Sequence, residues 1–331
     1  MDYAIIATLG PSSRSQEIWR GMIRAGASAF RLNTSHLTLD QVQLWLKEMR
    51  SFYKSTGVEL PLVLDLQGSK WRLGKFIPFE LITGRVIQLM HTDSIDDDQA
   101  LPIPHADFFA ASSSSSSEIL LNDAKIRLGV EGGGAGSIYA TVLQGGPISP
   151  GKGITYLSSD YRKESLHEKD QAILEQTEPL DFLRYAFSYV RDAAEMALYR
   201  SQTGHSRYLI AKLERKPAIE QAEKVAEYSD ELWVCRGDLG AELGEANMAV
   251  AVHDFSERVR QMRVPVLMAG QVLEHMTQER TPTRSEVCYL YQALRKGYRG
   301  FVLSDETAIG RYPVESCRMA AMFSGVEIKI G

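Results

Sequence analysis

Eight short apolar runs recur along the chain, and segments with helical spacing separate most of them. Each run lacks regular polar alternation, which is typical of strands that are buried on both faces of a parallel sheet. In SQEIWRGMIRAG, one of the intervening segments, apolar residues recur at three and four positions and a glycine ends the pattern. Eight strand-helix units predict an α/β fold, a closed (β/α)8 barrel. The runs cover residues 3–9, 27–33, 60–66, 180–187, 207–213, 231–236, 264–270 and 299–305.

The alternative arrangement of such units is an open, doubly wound sheet that binds a dinucleotide. That fold places a GxGxxG turn directly after its first strand. Here the first strand runs into TLGPSS instead. The sequence therefore favours the barrel.

The interval between the third and fourth predicted strands is much longer than the others, at about 115 residues. It contains turn residues and alternating runs such as ITGRVIQLMH, KIRLGVEGGG and GSIYATVLQGG, which are typical of antiparallel strands and hairpins. We expect a small all-β lid domain inserted into the barrel. The predicted boundaries are 1–68 for the first part of the barrel, 69–165 for the lid and 166–331 for the second part of the barrel.

Composition argues against several classes of partner. The net charge of -5 arises from 37 basic and 42 acidic residues that are mostly interspersed, so we expect neither nucleic acid nor a membrane surface as a partner. Cys235, Cys288 and Cys317 lie far apart, without a CxxC pair, which disfavours a zinc site or a disulfide framework and favours the cytoplasm. The sequence shows neither a secretion signal nor an apolar run long enough to span a bilayer.

Polar residues follow the predicted strands at their carboxyl ends, where a barrel gathers them at one mouth. Strands two and three lead into Arg31, Asn33, Ser35, His36, Asp65, Lys70 and Arg72; strands five and six into Lys212, Glu214, Arg236, Gly237 and Asp238; and strand eight into Ser304, Asp305 and Glu306.

This set combines carboxylates with cations. Glu214 and Asp238 suit Mg²⁺, which takes a few carboxylate ligands and leaves other positions to water and substrate oxygens. Lys212, Arg31 and Arg72 suit phosphate. Each piece taken alone has a simpler interpretation, such as a surface ion pair, a turn or a helix cap. Their recurrence at strand ends favours a phosphoryl-transfer site, because that chemistry depends on positioning and charge neutralisation.

The same stretches carry a resemblance to a known family. Over nearly its whole length the chain resembles pyruvate kinase, and the order and spacing of the matching stretches make chance similarity a poor explanation. They are TLGPSS, RLNTSH, LDLQGSKWRLG, ILLNDAKI, GGPISPGKGI, FSYVR, AKLE, CRGDLGAEL, PVLMAGQVLEHM, TPTRSEV and LSDETAIGRYPVE.

The resemblance implies a (β/α)8 TIM barrel with an inserted β domain that closes over the site. It implies phosphoenolpyruvate or pyruvate and an adenine nucleotide as partners, and Mg²⁺ or Mn²⁺ as cofactor. The residue roles that it implies are catalysis by Lys212, Arg31 and Arg72; metal binding by Glu214 and Asp238; nucleotide binding by Arg31, His36, Arg72, Asp123 and Lys152; substrate binding by Gly237, Asp238, Gly270, Ser304 and Glu306; and a monovalent-cation pocket at Asn33, Ser35, Asp65 and Lys70.

Three departures from the family pattern carry further expectations. Lys70 stands where potassium-dependent members have Glu, and its ammonium can supply the charge of K⁺, so we expect no K⁺ requirement. Gly270 stands where the family has a threonine that helps to protonate the pyruvate enolate, which puts that step in doubt. The chain stops at Gly331, so we expect no C-terminal domain and no allosteric control of the usual kind, and a homodimer through the barrel helices is an open option.

Three functions therefore follow. The first is a Mg²⁺-dependent phosphotransferase that acts on phosphoenolpyruvate and ADP. The second is a lyase or transferase that directs a Mg²⁺-bound pyruvate enolate to a different acceptor. The third is a non-catalytic protein that binds phosphoenolpyruvate. Retention of the lysine and both carboxylates favours the first.

Overall fold

The computed structural model describes residues 2–111, 118–122, 125–134, 136–156, 166, 168–177 and 180–325. Its strands are β1 (Ala4–Thr8), β2 (Ala29–Asn33), β3 (Leu62–Leu66), β4 (Phe79–Leu81), β5 (Val86–Met90), β6 (Ala100–Pro102), β7 (Glu118–Leu121), β8 (Ile126–Gly134), β9 (Ser137–Gln144), β10 (Gly146–Ile148), β11 (Ile154–Tyr156), β12 (Leu183–Phe187), β13 (Tyr208–Leu213), β14 (Glu231–Cys235), β15 (Val266–Ala269) and β16 (Gly300–Leu303). Its α-helices are α1 (Gln16–Arg24), α2 (Leu39–Thr56), α3 (Ala106–Ala111), α4 (Glu168–Gln176), α5 (Ala193–Thr203), α6 (Lys216–Glu220), α7 (Ala222–Val225), α8 (Arg236–Leu243), α9 (Glu245–Ser256), α10 (Arg284–Lys296), α11 (Asp305–Ala308) and α12 (Pro313–Ala320).

Eight parallel strands close into a barrel in the order β1-β16-β15-β14-β13-β12-β3-β2. Each of the eight apolar runs identified in the sequence supplies one of these strands, so the predicted (β/α)8 barrel is confirmed. The open doubly wound alternative is excluded, because β1 pairs with β16 as well as with β2.

The barrel interior is filled by side chains from alternate positions of the strands. Ile6, Val63, Ile210 and Val302 form one buried cluster with Trp233. Since alternate residues of a strand share a face, Lys212 lies on the same face of β13 as Ile210, closer to the carboxyl end. The strand pattern that buries the core therefore also directs this lysine inward.

Local signals in the sequence define the surrounding helices. Ser15 caps α1, where its hydroxyl accepts from the backbone N–H of Ile18. Thr38 and Gln41 form a capping box at the start of α2, and Gly57, with φ of 66°, ends that helix in the left-handed conformation. The helix predicted from the 3.6-residue periodicity of SQEIWRGMIRAG is present as α1.

The chain divides into two compact units. The insert unit comprises Ser69–Leu166 and Gly237–Ala249, and the other described residues form the barrel unit. The insert unit holds a six-stranded sheet in the order β11-β7-β8-β9-β5-β6 and a two-stranded sheet of β10 and β4. Its core is apolar and includes Trp71, Leu89, Phe108, Leu128 and Ile154. The predicted insertion is thus mainly β-structure, with α3 as a short helical addition.

Among the described residues, no helix combines the length and the apolar character that a membrane span requires.

Candidate functional site

Lys212 is the centre of a buried cluster at the carboxyl end of the barrel strands. Its Nζ lies 2.8 Å from Glu214 Oε1 and 3.2 Å from Asp65 Oδ1, and it donates to Ser188 Oγ at 2.9 Å. The residue is only 7% exposed. A buried ammonium requires partners of this kind, because desolvation of an unpaired charge is costly. We call Arg31, Asp65, Ser188, Lys212 and Glu214 the Lys212 cluster.

Arg31 joins the cluster from β2. Its Nε donates to Asp65 Oδ2 at 2.7 Å, and its Nη1 donates to the hydroxyl of Thr8 at 2.9 Å. Asp65 therefore lies between the two cations, one on each carboxylate oxygen. Ser188 adds a hydrogen bond, since its hydroxyl donates to Asp65 Oδ1 at 3.0 Å. The arrangement fixes the positions of a guanidinium and an ammonium at one end of the barrel.

The charges in the cluster stabilise one another. Burial acts to raise the pKa of Asp65, but Lys212 and Arg31 outweigh it and hold that pKa below its usual value. For Lys212, burial acts to lower the pKa, and the carboxylates of Asp65 and Glu214 raise it above its usual value. The lysine is therefore an ammonium, with full positive charge, throughout the physiological pH range. It is suited to charge neutralisation and unsuited to act as a base.

Glu214, the second carboxylate that contacts Lys212, is almost completely buried, with 1% exposure. Its Oε2 accepts from the backbone N–H of Tyr189 at 2.7 Å, and Tyr189 has φ of 60°, a backbone conformation that non-glycine residues rarely adopt. A carboxylate fixed in this way has the donor chemistry that a hard divalent cation requires. Within the described residues, no group of three or more His, Cys, Asp or Glu side chains is placed to hold a metal.

The turn that follows β3 is set by a residue from α4. The backbone N–H groups of Gln67 and Gly68 donate to the two carboxylate oxygens of Asp170, at 3.1 and 2.8 Å. Gly68 has φ of 64°, and a Cβ there would collide with the backbone carbonyl of Ser188. This turn therefore packs closely against the backbone of Ser188. Sequence reasoning did not identify Asp170, because a single acidic residue in a helix carries no distinctive signal.

Other predicted residues of the second strand lie beside the cluster. The Oδ1 of Asn33 accepts from the backbone N–H of Ser35 at 3.1 Å, so Asn33 caps the short 3-10 helix Thr34–His36. His36 ends that helix and its side chain is exposed. The helix is anchored to β3, since the hydroxyl of Thr34 donates to the carbonyl of Asp65 at 2.8 Å.

Glu306, predicted to bind substrate, is completely buried. Its two oxygens accept from the backbone N–H groups of Leu273 and Ser304, at 2.8 and 2.7 Å. Burial raises the pKa of this carboxyl, although the backbone hydrogen bonds act in the opposite direction. This geometry favours a positioning role for Glu306, in which it ties the segment after β15 to the end of β16.

Gly270, also predicted to bind substrate, lies directly after β15. Its carbonyl accepts from Nε and Nη2 of Arg236 at 3.0 and 2.7 Å, and the same Nη2 reaches the carbonyl of Gln271 at 2.8 Å. The Arg236 guanidinium also lies over the ring of Tyr289, 4.4 Å from its centroid. Arg236 therefore fixes the backbone at the position where the family threonine would stand.

In the insert unit, Lys70 and Asp238 form a close ion pair. Lys70 is largely buried, whereas the side chain of Asp238 is 22% exposed. Gly153 leaves the room for the lysine, because a Cβ at position 153 would overlap the end of the Lys70 side chain. Gly237, which precedes Asp238, has open space where a Cβ would lie.

Two predicted nucleotide contacts come together within the same unit. The backbone N–H of Leu73 donates to the carbonyl of Lys152 at 2.9 Å, and that of Ile154 donates to the carbonyl of Trp71. Arg72 therefore lies opposite the Lys152 segment, and its Nη1 donates to the carbonyl of Gly151 at 2.8 Å. The structure places these two cations on paired strand-like segments. Asp123, a further predicted nucleotide contact, lies outside the described residues.

Comparison with known proteins gives one continuous family match over most of the chain. The family model for the pyruvate kinase barrel domain matches residues 2–317. The chain belongs to the pyruvate kinase family. This confirms the resemblance seen in the motifs. Relatives named pyruvate kinase include proteins of Agrobacterium vitis (31% identity over 94% of this chain), Mycobacterium intracellulare (30% over 98%) and Thermococcus litoralis (31% over 96%).

The chain spans about two thirds of the length of these pyruvate kinases, at 66%, 70% and 68% respectively. Family membership and the barrel are therefore established, and the roles of individual residues stay predictions. The structure adds two residues to the candidate site, Thr8 and Ser188. Ser188 lies in the FSYVR stretch that contributed to the family resemblance, so that motif was the available signal.

Proposed function

We propose that this protein transfers a phosphoryl group between phosphoenolpyruvate and ADP, with pyruvate and ATP as the products. The observation that carries the proposal is the Lys212 cluster. A permanently charged ammonium is fixed at the carboxyl end of a barrel by Asp65, Glu214 and Ser188. Catalytic residues of barrel enzymes lie at this end. Relatives with 30 to 31% identity to the chain are named pyruvate kinase.

In this proposal Lys212 neutralises the charge on the phosphoryl group as it moves between the two oxygens. Arg31 contributes a second positive charge, held in place by Asp65 and Thr8. Phosphoryl transfer needs little covalent participation by the protein, and positioned positive charge provides most of the rate enhancement. Arg72 and Lys152 of the insert unit are the proposed contacts to the nucleotide phosphates.

Glu214 is the proposed metal ligand in the barrel unit, and the resemblance assigns the same role to Asp238. When bound, Mg²⁺ would supply Lewis-acid stabilisation of negative charge on the substrate oxygens. Support for Glu214 comes from its fixed, buried carboxylate, whose Oε2 is oriented by the backbone of Tyr189. Asp238 is supported by its position in the CRGDLGAEL motif.

We further propose that activity needs no K⁺. Lys70 carries its own positive charge and is held by Asp238. The test is a comparison of the wild type with Lys70→Glu, assayed with and without KCl at constant ionic strength. The wild type should show equal rates in both buffers, and Lys70→Glu should be slow until KCl is added. A wild type that is active only in KCl would contradict this proposal.

Gly270 favours a second candidate function, that of a lyase or transferase. Without a hydroxyl at this position, protonation of the pyruvate enolate would need another donor, and a lyase or transferase would instead give the enolate a carbon electrophile. Arg236 holds the backbone carbonyl of Gly270, and the glycine brings no side-chain hydroxyl to the position of the threonine. If ATP forms only slowly from phosphoenolpyruvate and ADP, the missing hydroxyl favours transfer of the enolate to an acceptor other than a proton.

One experiment distinguishes the two functions. The protein is incubated with Mg²⁺, phosphoenolpyruvate and ADP, and both ATP and pyruvate are measured over time. Equal formation of ATP and pyruvate supports the kinase. Failure to form ATP, together with loss of pyruvate when glyoxylate or acetyl-CoA is added, supports the lyase or transferase. Protein that shows neither reaction but binds phosphoenolpyruvate in a calorimeter would overturn both.

A further inference from the structure

A cavity of about 510 Å³ opens at the amino ends of β3, β12 and β13. We call it the floor cavity. On β13 its wall includes Tyr208, the first residue of the strand, whereas Lys212 lies four residues further on, at roughly 3.3 Å per residue. The floor cavity and the Lys212 cluster therefore occupy opposite ends of the same strand, about 13 Å apart.

Two arginines line the floor cavity, and each rests on an aromatic ring. The Arg184 guanidinium lies 4.1 Å from the centroid of Tyr208, and that of Arg207 lies 5.3 Å from the centroid of Tyr185. Stacking of this kind is favourable and orients the flat guanidinium. Thr203 adds a hydroxyl to the wall. The cavity therefore presents two oriented cations.

A buried carboxyl supports this wall from inside the barrel. Glu231 is 4% exposed, and its Oε2 accepts from the Tyr208 hydroxyl at 3.0 Å while its Oε1 accepts from the Trp233 indole N–H at 2.5 Å. Arg184 is further away, with Nη1 4.0 Å from Glu231 Oε2. Burial raises the pKa of Glu231, although the two neutral donors and Arg184 oppose the increase. The carboxyl thus holds Tyr208 in the cavity wall, and the Arg184 guanidinium lies on the ring of that tyrosine.

The rest of the lining indicates the size and character of a ligand. A volume of 510 Å³ is roughly seventeen times the ~30 Å³ occupied by a water molecule, so a single inorganic ion would leave most of the cavity empty. Leu60, Pro61 and Phe182 give the wall an apolar part. Glu59 and Asp181, the acidic residues of the lining, are exposed and belong to the rim.

We propose that the floor cavity binds a small organic anion, whose carboxylate or phosphate lies against Arg184 and Arg207 and whose carbon skeleton lies against Leu60, Pro61 and Phe182. The planar fork of arginine suits both anionic groups, because each can accept two parallel hydrogen bonds. The site is distinct from the proposed reaction site. It would exist whether or not the protein is a kinase.

The test uses the indole of Trp233 as a reporter. Its hydrogen bond to Glu231 couples it to Tyr208 in the cavity wall. In ¹⁵N-labelled protein the Trp233 indole resonance is assigned with Trp233→Phe, and the resonances of Trp19, Trp45 and Trp71 serve as internal controls. Malonate and glycerol 3-phosphate are titrated separately, so that carboxylate and phosphate are distinguished.

At least one probe should shift the Trp233 resonance to saturation at low millimolar concentration. Arg184→Gln and Arg207→Gln should each raise the dissociation constant at least tenfold, and Arg24→Gln, a change on the exposed face of α1, should leave it unchanged. Because Lys212 pairs in register with Trp233, Lys212→Met is titrated as well and should retain the saturable shift.

Two results would overturn the proposal. One is the lack of a saturable shift with either probe up to 20 mM, a concentration on the order of the weakest useful affinities. The other is a shift that survives both arginine substitutions or disappears in Lys212→Met, which would place the bound anion at the carboxyl end of the barrel. If Arg184→Gln does not fold, Arg207→Gln and Thr203→Val decide the outcome.

Discussion

Two buried carboxyl groups at opposite ends of the barrel have pKa values shifted in opposite directions. Asp65 and Glu231 are 1% and 4% exposed, and burial acts to raise the pKa of each. At Asp65 the cations of Lys212 and Arg31 outweigh burial and lower the pKa, whereas at Glu231 burial prevails. The difference lies in contact distance, since Arg31 and Lys212 reach Asp65 at 2.7 and 3.2 Å but Arg184 is 4.0 Å from Glu231.

The barrel thus buries carboxyl groups in two different environments, one beside cations and one beside neutral hydrogen-bond donors. The carboxyl end holds fully ionised groups in contact, which is suited to a highly charged substrate. The amino end holds its carboxyl group with the neutral donors of Tyr208 and Trp233. Exposure alone does not separate the two ends, because both carboxyls are nearly inaccessible to water.

The largest expected effect is on stability, from Asp65→Asn. The change leaves the buried charge of Arg31 without its counter-ion and should lower the free energy of unfolding at pH 7 by about 3 to 5 kcal/mol. Because the folded pKa of Asp65 is lowered, its stabilisation is complete above about 3.9, the pKa of an unfolded aspartate, and is lost as pH falls through the folded value. Urea unfolding at pH 7 and pH 3 measures both effects.

Asp254→Asn, an exposed change in α9, is the matched control and should unfold like the wild type. If Asp65→Asn unfolds at the same urea concentration as that control, the ion pairs at the carboxyl end contribute little, and the contrast between the two ends fails.

Lys212→Met should reduce kcat for ATP formation by roughly 10² to 10³-fold, the usual effect of removing one positioned electrostatic group. Methionine keeps much of the volume of the side chain and removes the ammonium that contacts Glu214 and Asp65. Lys216→Met, four residues later and largely exposed, should retain the wild-type rate. Equal rates for the two variants would remove Lys212 from the proposed mechanism.

Ser188→Ala tests the neutral member of the Lys212 cluster. Loss of the hydroxyl removes one hydrogen bond from Lys212 and one to Asp65, and we expect a loss of about 0.5 to 1.5 kcal/mol of unfolding free energy. Ser201→Ala, an exposed change in α5, provides the baseline in the same urea experiment. A loss as large as that of Asp65→Asn would mean that the hydroxyl, and not the charge, organises this end.

Glu231→Gln should have the smallest effect, visible as a change in pH dependence. The folded pKa of Glu231 is raised, so in the wild type its stabilisation is complete below about 4.3, the unfolded value, and is lost as pH rises through the folded pKa. Glutamine does not titrate. The variant should differ from the wild type by less than about 1 kcal/mol at pH 4 and gain relative stability as pH rises. A relative loss with rising pH would show that Glu231 is favourably ionised.

The barrel strands could be predicted because each is an unbroken apolar run of a parallel sheet, as in LPLVLDL before Asp65. The strands β4, β6 and β10 of the insert unit could not be predicted from the sequence. Each has three residues, too few for alternation to show, and β6 and β10 contain Pro102 and Pro147. The strands β4 and β10 are also distant from each other in sequence, since Phe79 pairs with Ile148.

The charged members of the Lys212 cluster were predictable, because a lysine or a carboxylate at the end of a buried strand is unusual. Thr8 and Ser188 occupy equivalent positions, but a hydroxyl at a strand end is too common to be distinctive. Asp170 contributes from a helix and acts on backbone N–H groups of another element, a contact that only three-dimensional structure reveals.

The space that Gly153 leaves for Lys70 links two positions more than eighty residues apart. A methyl group at 153 would overlap Cε of Lys70 as the lysine now lies, so an alanine there would require the flexible end of this side chain to move. Since the ion pair with Asp238 depends on where that end lies, Gly153 also determines the geometry of the contact between Lys70 and Asp238. A residue without a functional group of its own thus controls the placement of a buried charge in the insert unit.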